Sequence, residues 1–137
     1  MIQIRKSAWN GSGDNPLLAP NFRESEFYHK GKASNHPEMH DLHALIPDAA
    51  QILRDYYGEP LRITSTLRYP GDSYYNDTSQ HNYQKARAFD SQFTNDRSYI
   101  MPRYHGEILY RGELFELLYS LGVRGFGLYD TFIHLPM

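Results

Sequence analysis

His81, Asp90 and His134 form a candidate set of metal ligands in this chain of 137 residues. The chain has no cysteine, so imidazole and carboxylate groups are its strongest available ligands for zinc. Asp90 lies in a segment rich in Ala and Phe, where a buried carboxylate needs a cation or hydrogen-bond donors. Two imidazoles and one carboxylate would leave a fourth position on Zn²⁺ open for water, as in catalytic zinc sites. On spacing alone, however, such a set is more often a loop residue and two satisfied strand residues.

A second group of histidines lies in the segment HPEMHDLH. His36, His40 and His43 are separated by four and three residues, so a helix would stack them on one side. The segment lacks the H-E-x-x-H pattern because Glu38 lies two residues after His36, and Pro37 suggests that a helix only begins there. We therefore interpret this segment as the solvated start of a helix rather than as a metal site.

The elements that must position these residues follow from hydrophobic spacing and turn signals. We predict a short helical turn that begins near Ser25 and is anchored by Phe22, Phe27 and Tyr28. Three-to-four spacing predicts one helix that stops at Gly58, in which Pro47 marks either a break or a fresh first turn, and a second helix over residues 104–122. Alternation and β-formers predict strands in LRITSTLRY, ARAFDSQF and the closing VRGFGLYDTFIHLPM, the last as a strand pair or a turn plus a strand. This order predicts an α+β fold with a small, mainly antiparallel sheet flanked by two main helices.

The length of the chain fits one domain with one modest core. Residues 1–20 are crowded with Gly, Asn, Asp and Pro and are interpreted as an N-terminal arm, which leaves residues 21–137 as the domain. The formal charge of −2 comes from 14 basic and 16 acidic residues, so composition predicts no nucleic-acid partner. We identify neither a signal peptide nor the roughly 20 consecutive apolar residues of a membrane span.

Three segments together carry a resemblance to a known family. In chain order, LRITSTLRYP, SQHNYQKARAFD and GVRGFGLYDTFIHL resemble the signatures of the D-alanyl-D-alanine carboxypeptidase family of zinc peptidases, which includes many phage cell-wall peptidases. NFRESEF also resembles the segment that precedes the first helix in that family. The resemblance covers roughly residues 21–135, and the ordered combination is far more specific than any one segment.

The resemblance implies roles for five residues. His81, Asp90 and His134 would be ligands of Zn²⁺. Arg68 would hold the terminal carboxylate of the substrate, and Ser79 would support the site by hydrogen bonding; without the family, both are ordinary solvent-exposed residues. The implied activity is hydrolysis of a peptidoglycan stem peptide near a D-amino acid. The implied place of action is the cell wall, reached from the bacterial cytoplasm after lysis or by delivery in a virion.

Three departures from the family pattern bear on activity. The step of nine residues from His81 to Asp90 is longer than usual, although loop-closure entropy tolerates two extra residues. A general base is expected three positions before the last histidine, but Thr131 stands there; Asp130 is the nearest acid, and in an extended strand it would share a side with His134. The alternative for Asp130 is a turn residue. Members of the family often continue with an acidic residue after the last histidine ligand, but this chain continues with HLPM, and Pro136 removes that alternative base. These departures favour a rival hypothesis, in which the chain is a binding or structural module with a weakened or absent metal, such as a module of a phage particle.

Overall fold

A computed structural model of the protein describes residues 4–7, 17–27, 40–43, 45–66, 78, 88–95 and 97–137. These residues form helices and mainly antiparallel sheets, so the α+β prediction is confirmed. The elements in chain order are β1 Ile4–Ser7, β2 Leu17–Ala19, β3 Phe22–Arg23, a 3₁₀ turn Glu24–Phe27, β4 His40–His43, α1 Ile46–Tyr57, β5 Leu61–Ser65, β6 Ala88–Phe93, α2 Arg97–Leu109, α3 Glu113–Leu121, β7 Gly127–Leu128 and β8 Ile133–Pro136.

The main sheet has four strands in the order β5-β6-β8-β7, and every neighbouring pair is antiparallel. The closing segment of the chain supplies two of these strands, so the predicted strand pair is confirmed. β6 lies inside the sheet between β5 and β8 and is buried along most of its length. Two smaller antiparallel pairs, β1 with β4 and β2 with β3, complete the described sheets.

The first predicted helix is observed as α1. Pro47 lies in its first turn, where the missing N–H has no intrahelical acceptor to lose. Gly58 ends the helix in the left-handed conformation (φ 66°), and its N–H donates to Arg54 O at 2.8 Å. One face of α1 enters the core, where each fully buried large aliphatic side chain contributes about 1.5–3 kcal/mol. The fully buried residues of that face are Ile46, Ala49, Ala50 and Leu53.

The second predicted helix, over residues 104–122, is two helices, α2 and α3. The helical conformation is interrupted at Arg111, whose φ is +51°, and at Gly112, which precedes α3. The backbone N–H of Gly112 donates to Glu107 O at 2.8 Å, and the Glu107 carboxylate accepts a weak bond from Leu114 N at 3.4 Å. A side chain at Gly112 would collide with that carboxylate. The apolar spacing runs through the break because both helices bury apolar side chains in the same core.

The predicted helix start in HPEMHDLH is wrong for its last four residues. His40–His43 form strand β4, which pairs with β1 in the register that sets Ser7 opposite His40 and Ile4 opposite His43. His36 lies outside the described residues. Spacing within the segment could not reveal this strand, because its hydrogen-bonding partner lies far earlier in the chain.

The core of the described residues joins α1, α2 and α3 to one face of the main sheet. Phe22 and Phe27, at the 3₁₀ turn, are buried with ring centroids 6.0 Å apart, so the predicted turn is confirmed for these two anchors. Its third predicted anchor, Tyr28, lies outside the described residues. None of the described helices combines the length and the apolar character needed to cross a bilayer.

Candidate metal centre

Asp90 and His134 lie side by side on neighbouring strands. The register of β6 and β8 makes them direct cross-strand partners, and His134 Nδ1 is 2.7 Å from Asp90 Oδ1. Asp90 is only 8% exposed, whereas His134 is half-buried. Antiparallel pairing thus brings together two of the three predicted ligands, although 44 residues separate them along the chain.

The two residues occupy the sheet face that points away from the hydrophobic core. Side chains alternate between the faces of a strand, so the neighbours of Asp90 and His134 in sequence point into the core. This alternation explains how a carboxylate can sit in an apolar strand: the apolar residues fill the opposite face. The core-facing residues of β6 and β8 are Phe89, Phe93, Ile133 and Leu135.

The short Nδ1–Oδ1 distance is that of a hydrogen bond between an imidazole and a carboxylate. If Nδ1 carries the proton, it donates to Asp90, and a bond of this charge-assisted kind contributes about 1.5–3 kcal/mol. The same two atoms are also zinc ligands by type, and ligand atoms on one tetrahedral zinc ion are separated by roughly 3.3 Å, given bond lengths of about 2.0–2.2 Å. A zinc ion could therefore replace the shared proton if the distance between His134 Nδ1 and Asp90 Oδ1 increased from 2.7 Å to about 3.3 Å. The donor set of Asp90 and His134 fits zinc in chemistry and in proximity.

Gly127 provides the space that His134 occupies. It is the cross-strand partner of His134 on β7, and a Cβ at position 127 would lie 3.0 Å from His134 Cβ and 2.6 Å from Cε2 of Tyr129. The Tyr129 ring, which stacks on Phe132 at 4.3 Å between centroids, therefore lies over the glycine. Any larger residue at position 127 must displace this ring and push against the histidine.

Searches against protein-family models, curated proteins and solved structures return no match to this chain.

Asp130 lies in the turn between β7 and β8, not in the extended strand that would align it with His134. Strand β8 begins only at Ile133, and Asp130 is exposed. The turn is anchored to α2 by a 2.9 Å hydrogen bond between His105 Nε2 and Tyr129 O. The strand premise behind the choice of Asp130 as general base is therefore wrong, whereas its role as base stays a prediction.

His81, Ser79 and Arg68 lie outside the described residues. Within the ranges that the structure does describe, no group of three or more His, Asp or Glu side chains converges on one point. The described part of the candidate centre is thus the pair of Asp90 and His134.

Two residues that shape this region were missed by sequence analysis. Gly127 lies in the closing segment that was predicted only as a strand pair or a turn plus a strand, and its position opposite His134 depends on strand register. His105 was treated as part of a helix with no partner, and its bond to the β7–β8 turn depends on the packing of α2 near the sheet. No local signal in the sequence distinguishes either residue from its neighbours.

Proposed function

We propose that this protein is a zinc-dependent peptidase that hydrolyses peptidoglycan stem peptides near a D-amino acid. The observation that carries the proposal is the 2.7 Å approach of His134 to Asp90 across two neighbouring strands. The resemblance of three ordered motifs to a zinc peptidase family assigns metal binding to the same two residues. Spacing along the chain does not require them to meet, so their meeting supports the assignment.

Asp90 and His134 would hold the metal, together with His81 by family resemblance. Zinc, when bound, supplies a Lewis acid for the scissile carbonyl and lowers the pKa of a water molecule toward neutrality. Asp130 would take a proton from the attacking water on a carboxylate oxygen and return it to the leaving amine. Its exposed place in a turn gives it access to solvent and substrate.

Two further residues would act on the substrate. Arg68 would pair with a carboxylate of the stem peptide through its planar fork of N–H donors. Ser79 would support this site by hydrogen bonding. The substrate places the site of action at the bacterial cell wall.

A second candidate function is a binding or structural module built on the same fold without a metal. The specific observation in its favour is that Asp90 and His134 already hydrogen-bond each other directly. A carboxylate paired with an imidazole in this way is a stable structural element that needs no ion.

The test is the zinc content and the activity of the purified chain. Elemental analysis after extensive dialysis should find one zinc per chain. A stem-peptide substrate ending in D-Ala-D-Ala, and intact peptidoglycan, should both be incubated with the protein before and after treatment with a chelator. Turnover that stops with the chelator and returns with added zinc is the expected result.

The outcomes separate the two candidates. Stoichiometric zinc without turnover of either substrate would mean that the peptidase proposal has the wrong substrate. Absence of zinc from protein refolded in its presence would overturn the peptidase and favour the module. A chain that turns over substrate equally well without metal would refute both the zinc assignment and the roles given to Asp90 and His134.

A further inference from the structure

A surface pocket of about 280 Å³ lies among the helices, at the end of α1 and the junction of α2 with α3. It shares no residue with the pair of Asp90 and His134. Pockets for drug-sized ligands have volumes of roughly 300 Å³ or more, so this slightly smaller pocket suits a ligand the size of a single ring. The lining residues are Tyr57, Arg103, Gly106, Glu107, Tyr110 and Gly112.

Arg103 is a positioned cation in this pocket. Its Cζ lies 5.5 Å from the ring centroid of Tyr57 and 5.3 Å from that of Tyr99, within the range of cation–π attraction. Two rings therefore hold the exposed guanidinium. Within the described part of the chain it forms no ion pair and no side-chain hydrogen bond, so its N–H donors remain available to a ligand.

Glu107 is a positioned acceptor one helical turn further along α2. Its Oε1 accepts a 2.6 Å hydrogen bond from the Tyr56 hydroxyl, and its Oε2 accepts a weaker one from Leu114 N at 3.4 Å. A carboxylate can accept about four hydrogen bonds, so two of its lone-pair sites remain for a ligand. Because two partners already fix the Glu107 side chain, this side chain would lose little conformational entropy when a ligand binds.

The remaining walls supply an apolar face and free space. Tyr110 is 88% exposed, so its ring is available for stacking. A Cβ at Gly106 would meet no atom within 4 Å, which shows that the pocket is open above this glycine. The Tyr57 hydroxyl is buried at the pocket and hydrogen-bonds none of the described residues.

We propose that this pocket binds a saccharide unit of a glycan. A pyranose ring presents hydroxyls to both a fork of donors and a carboxylate, and it presents an apolar C–H face to an aromatic ring. Arg103 and Glu107, one turn apart on α2, and Tyr110, which directly follows this helix, provide these three contacts.

The charges in the pocket argue against other ligand classes. The Glu107 carboxylate would repel a polyanion such as a nucleotide, and the Arg103 guanidinium would repel a metal cation. An apolar peptide would leave both charged groups desolvated and poorly paired, which is costly. A neutral polar ring that pairs with both groups avoids each of these penalties.

The test measures the binding of two soluble oligosaccharides, an N-acetylglucosamine tetramer and cellotetraose. Calorimetry gives the affinity, and NMR shifts of the backbone amides locate the site. At least one of them should bind the wild-type chain saturably and shift the amides of α2. Arg103→Ala and Tyr110→Ala should each weaken that binding about tenfold or more, whereas Arg103→Lys, which keeps the charge and loses the fork, should weaken it less.

Tyr119→Ala is the matched control, since Tyr119 is a partly exposed tyrosine on α3 outside the pocket. It should bind the oligosaccharide like the wild type. Because Tyr110 is almost fully exposed, Tyr110→Ala should also melt like the wild type, which separates binding from folding. Lack of saturable binding of both oligosaccharides at millimolar concentration, or equal binding by all variants, would overturn the proposal. The saccharide site does not rest on the proposed peptidase activity, and His134→Ala should leave its affinity unchanged.

Discussion

The pair of Asp90 and His134 and the helical pocket around Arg103 are built in opposite ways. Strand register places the pair, the carboxylate is 8% exposed, and a glycine opposite the histidine leaves no room for change. Side-chain stacking places Arg103, and the neighbouring Tyr110 is 88% exposed. The backbone therefore determines the geometry of the sheet pair, whereas contacts between side chains determine that of the pocket.

The two regions are therefore sensitive to substitution in different ways. A substitution at the sheet pair changes a buried polar contact and should affect stability together with metal binding. A substitution of an exposed pocket residue removes a contact that only a ligand uses, so it should affect binding alone.

Replacement of His134 should have the largest effect. His134→Ala removes one proposed zinc ligand and the hydrogen bond to Asp90, so stoichiometric zinc and all metal-dependent turnover should be lost. His105→Ala is the matched control, because it removes a histidine that contacts the Tyr129 carbonyl instead. Elemental analysis of both variants is the measurement. Zinc retained at full occupancy in His134→Ala would refute its assignment as a ligand.

Replacement of Asp130 should separate metal binding from catalysis. Asp130→Asn should keep the zinc and lower the turnover rate about 100-fold, as loss of a general base does. Glu116→Gln, at another exposed acid in the first turn of α3, should leave the rate unchanged. Rates at saturating substrate are the measurement. An Asp130→Asn variant with the wild-type rate would show that another group takes the proton.

Two glycine substitutions should have effects of opposite sign. Gly127→Ala should destabilise the fold by about 1–3 kcal/mol and weaken zinc binding, because the added methyl group presses on the His134 and Tyr129 side chains. Gly106→Ala should stabilise it by up to about 1 kcal/mol, since alanine favours a helix and the methyl group meets only open space. Denaturant unfolding measures both changes. Equal stability of the two variants would contradict the idea that the sheet site is the more tightly packed.

The smallest effect concerns Tyr56 and appears only at high pH. The hydrogen bond to Glu107, with a smaller contribution from burial, raises the pKa of Tyr56 to about 12. The fold therefore favours the neutral phenol. This contribution to stability is complete below the ordinary tyrosine pKa of about 10 and is lost as the pH rises through about 12.

Glu107→Gln should move this pKa back toward 10, because it removes the carboxylate acceptor that is its largest cause. The ring carbon Cζ of Tyr56, followed by NMR across the alkaline range, reports the titration. Glu113→Gln, which removes a weaker and more remote charge, should shift the pKa much less. A Tyr56 pKa that does not respond to Glu107→Gln would show that the hydrogen bond is not its cause.

Much of the fold could be predicted because its signals are local. The position of Pro47 in the first turn of α1 and the end of this helix at Gly58 follow from the backbone restrictions of these two residues. Two features of the fold could not be predicted from the sequence, for physical reasons. Strand β4 depends on pairing with β1, and the division of residues 104–122 into two helices depends on the turn at Arg111 and Gly112, which continuous apolar spacing conceals.

The candidate site was only partly accessible to sequence. The chemical types of Asp90 and His134, and the motifs around them, predict a metal centre without any tertiary geometry. The helical pocket had no such signal, because Tyr57 and Arg103 are distant in the chain and neither belongs to a recognisable motif.

The sequence by itself determined the α+β class, the end of α1 at Gly58 and the chemical groups available for catalysis, because each depends on residue type and short-range spacing. Only the tertiary structure decided which of these groups meet. Antiparallel register sets Asp90 against His134 and Gly127 beside them, and helix packing sets Arg103 over Tyr57. Such contacts depend on the cooperative burial of one core, which no short segment of the chain contains.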